Sequence, residues 1–138
     1  KKYYLPNLQI NFTNKLLNFA NTSIDLSDGL FADLKKLINK QKLSFKLYLN
    51  QIPISKNLKN LIFLKRLKKI SFISRGDDYQ ILFTASPSKS RIINKTAKSL
   101  GVKITKIGKI CNYSTKSQIL DEKLMKINPK HQGYSHRF

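Results

Sequence analysis

The sequence predicts a β-sheet covered by helices, in an α+β or mixed α/β arrangement. Three observations carry this. Several runs place apolar residues three and four apart, the helical period. Another, residues 44–50, alternates Phe45, Leu47 and Leu49 with Lys46 and Tyr48, the period of a half-buried strand. The two kinds of run follow one another in strand–helix–strand steps, which a sheet with helices packed on it accommodates.

Residues 1–12 are polar and aromatic, contain Pro6 and show no helical period, so they read as a linker. Thr13 is placed to cap a short helix through Leu16, Leu17 and Phe19, ending near Asn21. Asn21-Thr22-Ser23 then leads into an acidic stretch, and an amphipathic helix is expected from about Asp28 to Lys40. Gly29 in its first turn is a poor helix former. Close approach of a ligand to the backbone and a tight lead-in turn explain it equally well. After the strand at 44–50, Pro53 breaks the pattern and Ser55 opens a helix through Leu58, Leu61, Ile62, Leu64 and Leu67. Gln80 to Ala85 reads as a buried strand. Ser86-Pro87 is a helix start, with Ser at the cap and Pro at the first helical position. That helix runs through Ile92, Ile93, Ala97 and Leu100 and stops at Gly101. Val102, Ile104 and Ile107 fall in the next strand, which ends around Cys111. Ser117 to Leu120 forms a short strand that turns at Asp121-Glu122, and the tail from Asn128 to Phe138 is irregular.

At 138 residues the chain is one domain, long enough to bury roughly two-thirds of its unfolded surface. Hydrophobic content of 41% without a long uncharged apolar run predicts a soluble protein with no membrane span. A lone Cys111 excludes an internal disulfide framework and reads as a buried small hydrophobe, and two distant His residues give no zinc pattern. No signal peptide is visible, so the expected compartment is the cytoplasm. The formal charge of +20 invites nucleic acid as a partner. The lysines are spread along the whole chain, however, and the abundance of Lys, Asn, Ile, Phe and Tyr matches an A/T-rich coding bias, so nucleic acid is not the expected partner. The densest basic run, Lys65 to Lys69, reads as the polar face of a helix.

Against this charge the acidic residues are informative. There are seven, and Asp25, Asp28 and Asp33 fall within nine positions. Asp25 and Asp28 flank Ser27 just before the amphipathic run Leu30, Phe31, Leu34, Leu37, Ile38. Two readings fit this spacing: an acidic helix cap, or a site for Mg²⁺, a hard cation satisfied by one or two carboxylates with water and phosphate oxygens. Asp33 reads as a solvated helix residue.

Three stretches and the tail carry a resemblance. Ile24-Asp25-Leu26-Ser27-Asp28-Gly29-Leu30 resembles the Asp-Ile-Ser-Asp-Gly-Leu motif that opens the C-terminal domain of thiamine-monophosphate kinases. Arg75-Gly76-Asp77-Asp78-Tyr79-Gln80-Ile81-Leu82-Phe83-Thr84 resembles their Gly-Gly-Glu-Asp-Tyr-Glu-Leu-Leu-Phe-Thr. Gly101-Val102 through Ile107-Gly108-Lys109-Ile110 is similar to a third family segment, and Gly133-Tyr134-Ser135-His136-Arg137-Phe138 to the closing Gly-Tyr-Asp-His-Phe. The first motif is shared with the wider aminoimidazole-ribonucleotide-synthetase-like superfamily; the second and the tail point to the thiamine branch. Asp77 replaces a Glu, Arg75 a Gly and Gln80 a Glu, and Arg137 is additional.

The resemblance implies an α+β fold with a mixed β-sheet covered by helices, with residues 1–22 as a linker from a preceding N-terminal domain and 23–138 as the C-terminal domain. It implies transfer of the γ-phosphoryl of ATP to thiamine monophosphate. It further implies Asp25 and Asp28 as Mg²⁺ ligands, Ser27 as an ATP contact, and Asp77 and Tyr134 as thiamine-substrate contacts, with no residue forming a covalent intermediate. Tyr79, His136 and the Asp121-Glu122 pair read as structural. The complete enzyme is expected to be a homodimer, and this part alone to be inactive. Two rival readings are another ATP-using member of the superfamily and a basic nucleic-acid-binding module, whose affinity would fall steeply with salt.

Overall fold

A computed structural model describes residues 10–39, 41–74, 80–114 and 116–129. Two sheets organise them. The larger has the order β4-β2-β5-β6, from β2 (Leu43–Tyr48), β4 (Gly108–Asn112), β5 (Gln118–Leu120) and β6 (Lys126–Ile127). It is mixed, because β2 runs parallel to β5 and antiparallel to β4. The smaller is an antiparallel pair of β1 (Ala20–Asp25) and β3 (Ile81–Ala85). With helices α1 (Ile10–Leu16), α2 (Leu30–Leu37), α3 (Lys56–Leu64), α4 (Ile70–Ile73) and α5 (Ser90–Ser99), the architecture is α+β with a mixed sheet, as expected.

Helix α2 is the centre of the main core. Its Leu30, Phe31, Leu34 and Leu37 pack with Phe45 and Leu47 of β2, Ile52, Ile73 of α4 and Ile119 of β5. A second cluster joins Phe12 and Leu16 of α1 and Phe19, with Phe83 of β3 and Ile93 of α5 packed against it. The rings of Phe12, Phe19 and Phe83 lie tilted to one another at centroid separations of 5.6–6.1 Å, an arrangement favoured by the aromatic quadrupole. Residues 10–22, placed in the linker by the sequence reading, thus supply a helix, three core side chains and the start of a strand.

Several elements differ from expectation for identifiable reasons. The stretch from Ala20 to Asp25 is a strand; its Asn, Thr, Ser and Asp residues hide an alternation of half-buried and exposed positions. Thr13 lies inside α1, which begins at Ile10, and its hydroxyl donates back to the Ile10 carbonyl. β3 is half-buried along its length, and among the described residues it pairs with β1. Residues 102–107 form no strand, and β4 begins only at Gly108. There the backbone approaches closely enough that a Cβ would lie 2.3 Å from the Lys46 carbonyl oxygen. Cys111 is half-buried. The basic run is not a helical face: α3 ends at Leu64, and the Lys69 ammonium donates to the Ile52 carbonyl. Burial depresses the Lys69 pKa below the ordinary lysine value.

Other expectations hold. The Ser55 hydroxyl accepts the Leu58 N–H and caps α3. Pro87 opens a single 3-10 turn ahead of α5, although Ser86 pairs with the Ser88 hydroxyl instead of capping. Gly101 closes α5 through paired bonds from Val102 N–H to Ala97 O and from Gly101 N–H to Lys98 O. The Asp121 carboxylate accepts the N–H groups of Lys123 and Met125, making the β5–β6 turn. No described helix is long and apolar enough to cross a membrane.

Candidate active site

The antiparallel pairing of β1 with β3 brings the first sequence motif beside the described part of the second, Gln80 to Thr84. Ile24 lies opposite Leu82 and Asp25 opposite Ile81. One step further, the Leu26 N–H donates to the Gln80 carbonyl at 2.8 Å. The acidic stretch therefore leaves the sheet at the end where the second motif joins it. Alternation along β1 leaves Asn21, Ser23 and Asp25 exposed, so the Asp25 carboxylate stands at the end of the strand facing solvent.

Asp33 holds the loop that follows. Its side chain has 0% exposure. Oδ2 accepts the backbone N–H of Ser27 at 2.8 Å and of Asp28 at 3.0 Å, while Oδ1 accepts the Lys36 ammonium at 3.0 Å. The Asp33 N–H in turn donates to the Gly29 carbonyl, one of the first bonds of α2. This corrects the reading of Asp33 as a solvated helix residue. It stands three after Leu30 and four before Leu37, the same-face spacing that puts it at the edge of the buried stripe. That spacing was the available signal. Charge there is tolerated because both carboxylate oxygens have donors.

Helix α2 begins at Leu30 and ends at Leu37, shorter at both ends than expected. The reason at the start is Gly29, whose φ of 112° and ψ of 152° belong to a region essentially restricted to glycine. A tight lead-in turn is thus sufficient to explain this glycine. Neither Asp25 nor Asp28 caps the helix, and the acidic residue in its first turn is Asp33. Instead Asp28 turns one oxygen to the Ser27 hydroxyl at 3.4 Å and the other to the Lys36 ammonium. Hydrogen bonds to Asp28 and then to Asp33 raise the Lys36 pKa above the ordinary lysine value, so it is cationic throughout the physiological range.

The structure thus places Asp25 at the end of β1 and Ser27 and Asp28 on the short loop that follows it. Asp77 and Tyr134, together with Asp78, Tyr79 and His136, lie outside the described residues. Lys36 and Asp33 are the residues the sequence reading missed. Among the described residues no three His, Cys, Asp or Glu side chains are disposed to enclose a metal ion. Asp25 and Asp28 stand three positions apart, and a hard cation held by them would have to displace or share the ammonium already paired with Asp28. Such a cation would take most of its ligands from water and phosphate.

No family model matches the chain. Sequence relatives are found nonetheless. The thiamine-monophosphate kinase of Buchnera aphidicola subsp. Schizaphis graminum is 33% identical over 136 residues, covering 99% of this chain and 42% of its own length. That of Haemophilus influenzae is 30% identical over 110 residues, covering 80% of this chain and 33% of its own. The chain is a relative of the thiamine-monophosphate kinases. It spans about two-fifths of the length of the first of these curated relatives. The crystal structure of thiamine-monophosphate kinase from Stenotrophomonas maltophilia K279a superposes with a TM-score of 0.70 at 26% identity, covering 88% of this chain and 37% of that one. AaThiL complexed with AMPPCP and TMP superposes with a TM-score of 0.70 at 23% identity, covering 97% and 40%, and so shares the fold. The α+β architecture described above is therefore that of the matched part of the thiamine-monophosphate kinases.

Proposed function

We propose that the chain is the C-terminal part of an ATP- and Mg²⁺-dependent kinase that phosphorylates thiamine monophosphate to thiamine diphosphate. The observation that carries this reading is the pairing of Ile24 to Leu26 with Gln80 to Leu82, which sets the first motif resembling the thiamine-monophosphate kinases beside the described end of the second. The kinase relatives at 33% and 30% identity support the activity, and a structural neighbour that shares the fold is itself complexed with AMPPCP and TMP.

The chemistry asks for what the loop offers. Donor and acceptor are both polyanions, so attack of one phosphate on another is limited by charge repulsion and by alignment. Mg²⁺, when bound, would supply the neutralisation. Asp25, at the end of β1, and Asp28, on the loop whose backbone Asp33 fixes, would hold it, and Ser27 would contact ATP. Asp77 and Tyr134 are assigned to the substrate: a carboxylate and an aromatic face both favour the cationic thiazolium ring. In this reading an N-terminal part completes the site, the whole enzyme is a cytoplasmic homodimer, and this chain by itself is inactive.

The test uses the full-length gene product, or this chain mixed with its N-terminal half. ATP- and Mg²⁺-dependent conversion of thiamine monophosphate to the diphosphate should be measured beside Asp28→Asn. Turnover is expected, and the substitution should lower it by about 100-fold or more, because it removes a charged metal ligand. A folded, complete protein without turnover would overturn this reading and leave a superfamily relative with another substrate or a decayed enzyme.

A further inference from the structure

We propose that Lys36 is a resident counter-cation of the acidic loop, which competes with the divalent cation for Asp28 and so sets how tightly that cation binds in the absence of nucleotide. This rests on the reading of Asp28 as a metal-holding carboxylate. The Lys36 ammonium bridges Asp28 Oδ2 and Asp33 Oδ1. The two carboxylates are not equivalent. Asp33 is fully buried, and its other oxygen holds the N–H groups of Ser27 and Asp28. The Asp28 side chain keeps 29% of its surface exposed. A cation arriving from solvent therefore meets Asp28, and there it meets an ammonium already in place.

Lys36 is suited to yield. Its side chain is 51% exposed on a flexible four-carbon stem, so the ammonium can leave Asp28 while keeping its bond to Asp33. Ion pairs this exposed are weak enough for a divalent ion to displace. Until then the ammonium offsets repulsion between two carboxylates that share it as a partner. Lys36 is a positioning residue in this scheme, acting on metal and nucleotide through Asp28.

The experiment titrates Mn²⁺, followed by electron paramagnetic resonance, into the full-length protein without nucleotide. Wild type is compared with Lys36→Met, Lys36→Arg and Asp28→Asn, and with Asp28→Asn combined with Lys36→Met. Lys36→Met is expected to bind Mn²⁺ about three- to tenfold more tightly, having lost both a competitor and a repulsive charge. Lys36→Arg should stay within about twofold of wild type, since it keeps the charge. Equal, weaker or absent binding in Lys36→Met, with Asp28→Asn still abolishing whatever binding wild type has, overturns the proposal and leaves the Asp28 assignment intact. Binding that survives Asp28→Asn in both backgrounds overturns the assignment, and the proposal with it. A measurement on wild type alone guards against a misfolded variant. The ¹³Cε resonance of Lys36 must move on saturation with Mg²⁺, and a resonance that stays in place also overturns the proposal.

Discussion

Asp33 shows how one buried carboxylate can organise a loop that has no regular structure of its own. Residues 26–29 make few backbone bonds to one another, so the Ser27 and Asp28 N–H groups depend on Asp33 Oδ2 for partners. Asp33→Ala removes that acceptor and the fixed partner of Lys36. The expected loss is about 2–3 kcal/mol of unfolding free energy, the cost of leaving donors unsatisfied near the interior. Urea denaturation measures it, and a change below about 0.5 kcal/mol would show that the loop finds its acceptors elsewhere. The companion constraint is Gly29, whose backbone conformation no larger residue adopts without strain. A charge at position 33 and a missing side chain at position 29 together fix where Asp28 points.

Among the elements, β2 bears the most responsibility. It is the strand through which the larger sheet is mixed, hydrogen-bonded to β4 on one side and β5 on the other. Its Phe45 and Leu47 face α2, which carries the acidic loop at its N-terminus. In the β2–β4 contact the backbones come close at Gly108, paired with Leu47. An added methyl there would strike the Lys46 carbonyl oxygen at 2.3 Å and the Leu47 Cα at 3.2 Å, both backbone atoms that cannot rotate away. Gly108→Ala should therefore cost about 1–3 kcal/mol, with the strands forced apart. Hydrogen exchange at the β2 and β4 amides would report it, and unchanged protection there would refute the contact.

At the scale of the whole molecule, stability is concentrated where α2 meets β2 and is absent from the outer face of α3. Phe31 is 1% exposed in the centre of the main core, whereas Phe63 is 83% exposed on α3. Phe31→Ala is expected to cost about 3–5 kcal/mol and Phe63→Ala less than about 0.5 kcal/mol. Thermal or denaturant melts of the two variants compare them directly, and similar losses would place the core elsewhere. The burial of α2 also links stability to the site, because the helix that anchors the core directly follows the loop bearing Ser27 and Asp28, itself continuous with Asp25 at the end of β1.

The sequence by itself determined the fold class, the helices α2, α3 and α5, the strand β2 and the motifs on which kinship to the thiamine-monophosphate kinases rests. These are local signals: apolar spacing, a Ser cap, a terminal glycine and short runs of fixed residue order, each legible within a dozen positions. Only the tertiary structure decided that Ala20 to Asp25 is a strand, since its polar residues show no apolar period until Phe83 and its neighbours pair with them. Likewise, only packing decided that Asp33 is buried and that Lys36 bridges two carboxylates. Burial of a charge depends on donors brought from elsewhere in the fold, here the N–H groups of Ser27 and Asp28 and the ammonium of Lys36. Residue spacing records which groups are near along the chain, and the folded loop settles which of them meet.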